Sequence, residues 1–148
     1  MTASIYSTIS TLQEEAVAAL RETAALSAVD VVQEDRKDIV TAIQIAVKKL
    51  GLCLVVSTAA ATTTRPNLPG PSLDRIQFQV DACEHVLINR AASGSGISAL
   101  KAACLVAAAL HHLRPSAGGG CVYLTDPGVQ HIPDDSFLIY RVHFRIGT

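Results

Sequence analysis

This sequence of 148 residues contains no tryptophan, and aromatic residues make up only 4% of it. A buried core must therefore be built from valine, isoleucine, leucine and alanine rather than from large rings. Charged residues are scarce at 17%, and the net charge of -1 leaves no excess of lysine and arginine. The basic surface of a nucleic-acid-binding protein is thus missing, so no sequence-specific nucleic-acid partner is expected. So little charge on a small domain instead favours self-association.

Two further absences concern membranes and export. The longest apolar run, residues 102–110, is far shorter than the roughly 18 residues that a membrane-spanning helix needs. A secretory signal is not expected, because the chain lacks a basic start and Glu14 and Glu15 interrupt its first apolar pattern. The cysteines form no CxxC pair and lie among apolar residues, which is typical of buried, reduced thiols in a cytoplasmic protein. They are Cys53, Cys83, Cys104 and Cys121.

The most informative stretch, residues 73–114, predicts a long strand, a flexible loop and an alanine-rich helix. Apolar and polar residues alternate from Arg75 onwards, as in a strand with one buried face. Val86 and Ile88 continue that phase, so the strand is predicted to run on past a bulge near Cys83. One polar face is typical of a strand in an antiparallel sheet. The alternating apolar residues are Ile76, Phe78, Val80 and Ala82.

The loop after this strand is rich in glycine and serine. Gly94 and Gly96 permit positive φ, and Ser95 or Ser98 can cap the helix that follows. The helix is predicted to reach Arg114 and to stop before the next proline. Because this helix is apolar on most sides, we expect the sheet, or the sheet and another subunit, to cover it.

The rest of the chain predicts two more helices. The first lies within residues 4–27, and a capping box delays its ordered start to Thr11. The second begins at Asp35 as the N-cap and ends before Gly51, which is suited to the C′ position. Residues 58–72, with three prolines and a glycine, form a long excursion that is either a partner-binding loop or a mobile surface loop.

Shorter strands complete the prediction. The last strand has a polar face like that of the long strand, so the two are predicted to be antiparallel neighbours. All elements together predict a single α+β domain over residues 1–148, with a mainly antiparallel sheet and about three helices packed on it. The shorter segments are strands at 29–33, 52–57, 121–125 and 137–146, a turn at 126–128 and a brief pairing segment at 129–132.

Residues 94–99 read GxGxxA between a predicted strand and a predicted helix, where a dinucleotide-binding fingerprint would lie. The match is incomplete, because the strand before it is half polar and no acidic residue closes a second strand at the expected distance. A turn with a helix cap explains the pattern without a ligand. A small nucleotide- or phosphate-binding domain that uses Gly94 and Gly96 is the alternative function.

Histidine and cysteine form no recognisable motif. His111 and His112 are adjacent, so on a helix their side chains would point about 100° apart and could not easily share a metal ion. A site made of Cys104, His111 and Asp126 is conceivable, but Cys104 is predicted to lie on an apolar face where a thiolate is costly. No catalytic residue, metal ligand or cofactor is therefore predicted, and the chain is not expected to be an enzyme.

Several short phrases nevertheless resemble one group of proteins. They are VLINR at Val86–Arg90, the Gly/Ser loop, the alanine-rich run at 99–112, and YRVHFR at Tyr140–Arg145. Together with the order of elements, they resemble small tail-completion or minor tail proteins of long-tailed bacteriophages and prophages, a group that includes the tail terminators. The resemblance covers roughly residues 39–146.

This resemblance implies an α+β subunit that forms a ring, typically of six copies, at the head-proximal end of the tail tube. The ring would stop tube growth and bind the tail tube protein and the head-tail connector, without cofactor or membrane. The expected location is the virion tail, or the bacterial cytoplasm during assembly.

Such a ring needs two different matching patches, which we assign to the loops at 58–72 and 90–97. The candidate interface residues are Arg65, Asn67, Leu68, Arg90, Ser93 and Ser95. An interaction module of the same α+β build, unrelated to phages, is the other alternative.

Overall fold

The computed structural model describes residues 5–35, 37–67, 69, 75–92, 94–116 and 120–147. A 3-10 turn at Ala24–Leu26 joins the first helix to the first strand. The elements are α1 (Ile5–Glu22), β1 (Asp30–Gln33), α2 (Ile39–Leu50), β2 (Leu52–Thr62), β3 (Arg75–Glu84), α3 (Val86–Asn89), α4 (Ala99–Leu110), β4 (Cys121–Ile132) and β5 (Leu138–Gly147).

The strands form one five-stranded sheet in the order β1-β2-β3-β5-β4. β1 is parallel to β2 because α2 carries the chain back between them, and the other neighbours are antiparallel. The predicted α+β class and mainly antiparallel sheet are therefore confirmed. β3 and β5 are antiparallel neighbours, as their similar polar faces predicted.

Each face of the sheet packs differently. On one face, α1 and α4 cover the main core, in which Phe78 of β3 stacks on Phe144 of β5 with ring centroids 5.1 Å apart. On the other face, α2 packs on β1 and β2 around a smaller core that includes Val47 and Cys53. Polar side chains of β3 and β5, among them Asp81 and Arg141, share this second face.

The first two helices begin at residues other than those predicted. α1 begins at Ile5 rather than at Thr11, and it ends at Glu22. α2 begins at Ile39 after the N-cap Asp38, so Asp35 is not its cap. The reason is that the amide of Glu34 donates to the carbonyl of Val56 at 3.0 Å, which keeps the chain beside β2 past the end of β1. Gly51 ends α2 with φ of 79°, as predicted.

The predicted long strand is shorter than its alternation indicates. β3 ends at Glu84, and Val86–Asn89 forms one helical turn instead of continuing the strand. His85 is the turning point, because its amide donates to the carbonyl of Gly51 at 2.8 Å while its ring accepts from the amide of Ile88. The period-two spacing of Val86 and Ile88 was therefore misleading.

Two predicted loops are partly strand. β2 continues to Thr62, with an irregularity between Thr58 and Ala60, so it includes the first residues of the predicted excursion at 58–72. β4 runs through the predicted turn at 126–128, which is a bulge containing the cis bond between Asp126 and Pro127. In both cases the pairing with the neighbouring strand resumes beyond the irregular residues.

The last predicted helix ends early. α4 stops at Leu110 rather than at Arg114, because His112 has a φ of 69° and its amide donates to the carbonyl of Val122 at 2.7 Å. In the part of the chain that the structure describes, no helix combines the length and apolar character needed to cross a lipid bilayer.

Candidate functional site

The predicted interface residues lie at opposite ends of the sheet. Arg65 and Asn67 follow the end of β2, whose last residue, Thr62, pairs with the first residue of β3. Arg90 and Ser95 follow the other end of β3, about 30 Å away at roughly 3.4 Å per strand residue. The structure therefore brings Arg90 and Ser95 together but not with the first two. Leu68 and Ser93 lie outside the described residues.

A fully buried carboxylate, that of Glu84, organises the end where Arg90 and Ser95 lie. Its Oε1 accepts from the backbone amide of Ala99 at 3.1 Å. Its Oε2 accepts from Asn89 Nδ2 at 2.6 Å and from Arg90 Nε at 3.2 Å. One side chain thus joins the end of β3, the turn α3 and the first residue of α4.

Asn89 extends these contacts into the glycine-serine loop. Its Nδ2 also donates to the carbonyl of Ile97 at 2.7 Å. Its Oδ1 accepts from the amide of Ser95 at 3.2 Å and from the hydroxyl of the same residue. The loop is therefore closed by side-chain hydrogen bonds at both of its ends.

Two glycines allow the backbone of Asn89 to pack this closely. A Cβ atom on Gly51 would lie 2.2 Å from the nitrogen of Asn89, and one on Gly94 would lie 2.0 Å from its carbonyl oxygen. Gly96 differs, because a Cβ there would meet nothing within 4 Å. Gly96 has the predicted positive φ, at 82°, whereas Gly94 does not and is needed instead for the close approach of the two backbone segments.

The electrostatics of Glu84 follow from these contacts. Burial raises the pKa of Glu84. Hydrogen bonds from Arg90, Asn89 and the amide of Ala99 lower the pKa by more than burial raises it, so the pKa lies below the usual value of 4.5. The hydrogen bond to Glu84 in turn raises the pKa of the Arg90 guanidinium. The carboxylate is therefore ionised at neutral pH and is a buried anion.

This anion bears directly on the phosphate alternative. A phosphate at a helix N-terminus accepts from the first backbone amides of the helix. In α4 the amide of Ala99 already donates to Glu84, and that of Lys101 donates to the Ser98 hydroxyl at 3.2 Å. These two amides are not available to a ligand while Glu84 and Ser98 keep their positions, so we assign the GxGxxA pattern a structural role.

The surface over this network is apolar. Leu87 is 82% exposed, and Val86 and Leu100 are also exposed large hydrophobic residues. Arg90 follows Val86 and Leu87 on the same segment, and its side chain is 56% exposed. We call Val86, Leu87, Arg90 and Leu100 the Leu87 patch. Glu84 bonds to both segments that carry the patch, so the patch is held rigidly.

Sequence reasoning missed Glu84 and Asn89, which carry the network. Glu84 continues the even-numbered positions of Phe78, Val80 and Ala82, so it occupies a core-facing position on β3. A carboxylate at such a position needs buried hydrogen-bond donors. The phase of Glu84 in the alternation could therefore have predicted a buried polar network at the end of β3.

The two adjacent histidines are arranged differently from the prediction. Their ring centroids are 4.0 Å apart and the rings are stacked, because the chain leaves the helix at Leu110. His111 Nδ1 accepts from the amide of Leu124 at 3.2 Å, which places the proton of the neutral ring on Nε2. Nε2 of that tautomer cannot ligate a metal ion, so the contact argues against a shared metal site.

The four cysteines lie in different environments and do not form a common site. Cys53 is buried, but Cys104 is exposed, so the predicted apolar surroundings of Cys104 were wrong. Cys104 also lies two helical turns before His111, roughly 10 Å along the helix axis. Cys53 and Cys83 face each other across β2 and β3, and burial raises the pKa of each thiol to about 12. Within the described ranges, no group of three or more His, Cys, Asp or Glu residues could hold a metal ion.

Comparison with known proteins adds no assignment. No protein-family model matches the chain, and no curated protein is significantly similar to it. The resemblance to phage tail proteins therefore stays a prediction.

Proposed function

We propose that the chain is a structural subunit of a bacteriophage or prophage tail, which forms a ring that terminates the tail tube and joins it to the head connector. The phrases at 86–90 and 140–145 and the α+β order of elements support this proposal. Its location would be the virion tail, or the bacterial cytoplasm during assembly.

The Leu87 patch is the observation that carries the proposal. Val86, Leu87 and Leu100 are all exposed on the two segments that Glu84 joins, and several exposed large apolar side chains suit a contact surface. Rigid presentation also lowers the entropy lost on binding, because the turn does not have to be ordered by the partner.

The distance between the two predicted contact regions supports a ring in particular. A cyclic ring uses heterologous contacts, in which one patch of a subunit meets a different patch of the next. Arg65 and Asn67 at one end of the sheet and Arg90 and Ser95 at the other are suitably separated for such contacts.

The test is a tube-growth experiment. Purified tail tube protein would be polymerised with and without this chain, and tube lengths would be measured by electron microscopy. We expect shorter tubes with a ring at one end, and native mass spectrometry should give a closed oligomer near six copies. Tubes of unchanged length, or a monomer that carries a nucleotide-sized adduct, would contradict the proposal.

A substitution sharpens this test. Leu87→Ser should abolish capping or ring formation without unfolding the chain, because the side chain is already exposed. Val40→Ser is the matched control, since Val40 is 65% exposed on α2 and lies outside the Leu87 patch. Equal capping by both variants would remove the Leu87 patch from the proposed interface.

A further inference from the structure

The outer edge of the sheet at β1 lies in a cleft between α1 and α2. On the α1 side, Tyr6, Glu14 and Arg21 line a groove of about 460 Å³ together with Val31 and other residues. On the α2 side, a second groove of about 480 Å³ shares Arg21 and Val31 and includes Ile45. Tyr6 and Ile45 are 62% and 61% exposed, so each side of the cleft presents one large apolar side chain.

The charges in this cleft are mostly negative. Glu14 and Asp35 line the first groove, and Asp30 and Asp38 line the second. Among the described residues that line these grooves, Arg21 is the one with a cationic side chain. Its Nη2 donates to the carbonyl of Val31 at 3.1 Å, so this guanidinium is engaged with the strand edge. We call this surface the acidic cleft.

The opposite edge of the sheet has the reverse character. Arg145 lies over the ring of Tyr123 at 5.3 Å, and His112 contacts the same ring edge-on with centroids 5.6 Å apart. His111 stacks on His112, and Arg114 follows them in the chain. In the part of the chain that the structure describes, no carboxylate forms an ion pair with either arginine. We call these five residues the basic-aromatic cluster.

The basic-aromatic cluster is also firmly supported. Residues 111–113, the histidine segment, are hydrogen-bonded to β4 through their backbone. The amide of His112 donates to the carbonyl of Val122 at 2.7 Å, and the amide of Val122 donates to the carbonyl of Leu113 at 2.8 Å. His111 accepts from the amide of Leu124, whose exposed side chain adds apolar area beside the rings. These bonds occupy backbone groups of β4 at Val122 and Leu124, so this part of the edge presents side chains to a partner.

We propose that the acidic cleft of one copy of the chain receives the basic-aromatic cluster of a second copy. The cleft offers carboxylates in the grooves that Tyr6 and Ile45 also line, and the cluster offers the guanidinium of Arg145 over the ring of Tyr123 together with the exposed Arg114. Complementary charge favours this orientation over like-charge contacts, which cost several kcal/mol. The inference rests on the proposed function, because it adds a second, charge-complementary pair of surfaces to the contact regions already proposed for the ring.

The positions of the surfaces determine the type of assembly. They lie on opposite edges of a five-stranded sheet, roughly 19 Å apart at about 4.8 Å per strand spacing. Each copy would therefore use one surface for the copy before it and the other for the copy after it. Such head-to-tail contacts close into a ring when the rotation between subunits permits.

Charge reversal tests the contact directly. Glu14→Lys/Asp35→Lys reverses the acidic cleft, and Arg114→Glu/Arg145→Glu reverses the basic-aromatic cluster; all four side chains are exposed. Each double variant alone should assemble at least about tenfold more weakly than the unaltered chain, because like charges then face each other. Lys48→Glu/Lys49→Glu, at the exposed end of α2, is the matched control and should assemble normally.

Mixing the two double variants gives the decisive measurement. In a 1:1 mixture every reversed cleft can meet a reversed cluster, so native mass spectrometry should show restored oligomers that contain equal numbers of both variants. Circular dichroism would verify that each variant is folded. An unaltered chain that stays monomeric at every concentration, double variants that assemble normally, or a mixture that stays monomeric would each overturn the inference.

The outcomes separate this inference from the proposed function. If the unaltered chain forms rings that depend on both surfaces but do not stop tube growth, the contact stands and the tail function fails. If the chain caps tubes while both double variants cap equally well, the tail function stands and the contact is wrong.

Discussion

β3 carries two carboxylates, three residues apart, that each bind an arginine in a different environment. Glu84 points into the core-facing side, where its side chain is fully buried and bonds to Asn89, Arg90 and the amide of Ala99. Asp81 points to the opposite face and forms a two-bond contact with Arg141 of β5, with 18% and 29% of the two side chains exposed. The same type of ion pair thus organises a loop in one place and joins two partly exposed strand positions in the other.

The difference shows that burial and connectivity decide what an ion pair does. Glu84 joins three backbone segments, and its removal would leave donors without partners inside the protein. Asp81 joins two strands that the backbone ladder already holds in register. We therefore expect substitutions at these two residues to differ widely in their effect on the free energy of unfolding.

The largest effect is expected for Glu84→Ala. It removes the acceptor of Asn89 Nδ2 and of the Ala99 amide, so the free energy of unfolding should fall by about 3 kcal/mol. Urea unfolding measures this loss. Glu84→Gln is the isosteric control and should lose less, because its carbonyl oxygen can still accept from one of the donors. A loss below that of Asp81→Asn would refute the comparison.

The next largest effect is expected for Gly94→Ala. Its new Cβ would lie 2.0 Å from the carbonyl oxygen of Asn89, so the backbone of the loop has to move, at a cost of about 2 kcal/mol. Gly96→Ala is the matched control, because its site has free space and only the φ of 82° opposes a side chain, at a cost of about 1 kcal/mol. Thermal unfolding of both variants should rank them in this order. The reverse ranking would mean that the loop is not closely packed on Asn89.

A dependence on pH should follow from the lowered pKa of Glu84. A carboxylate with a folded pKa below the usual 4.5 stabilises the fold above that value, and the stabilisation is lost as pH falls through the folded pKa. Unfolding measured from neutral pH into this acidic range should show a smaller decline for Glu84→Gln than for the unaltered chain. Parallel curves would show that Glu84 does not contribute to the acid sensitivity.

The smallest effect is expected for Asp81→Asn. The contact with Arg141 is partly exposed and screened by solvent, so the loss should stay below about 1 kcal/mol. A double-mutant cycle with Arg141→Gln isolates the interaction, and it should weaken further at high salt. A coupling energy as large as the loss from Glu84→Ala would contradict the distinction between the two sites.

Much of the fold could be predicted because its signals are local. Alternation identified β3 and β5 as half-buried strands, and Gly51 identified the end of α2. The errors arose where a distant segment decided the outcome. Val86 and Ile88 kept the strand phase, yet the contacts of His85 with Gly51 and Ile88 turned the chain into α3.

The candidate site was less predictable for the same reason. Arg90 and Ser95 were chosen because they lie in a glycine-serine loop, and the structure places both in the Glu84-Asn89 network. Nothing near Gly94 in the sequence says that its Cα packs against the backbone of Asn89. The stacking of His111 on His112 likewise depends on where α4 ends, and the bonds of the histidine segment to β4 set that end.

The sequence by itself determined the α+β class, the apolar alternation of the central strands and the lack of an overall lysine and arginine excess, because periodicity and composition are properties of the sequence itself. Only the tertiary structure decided which groups meet across long separations. Glu84 reaches the amide of Ala99, and the strand order places the carboxylates that line the grooves at β1 across the sheet from Arg145 and Tyr123. Such contacts depend on the path of the whole chain, which local patterns do not encode.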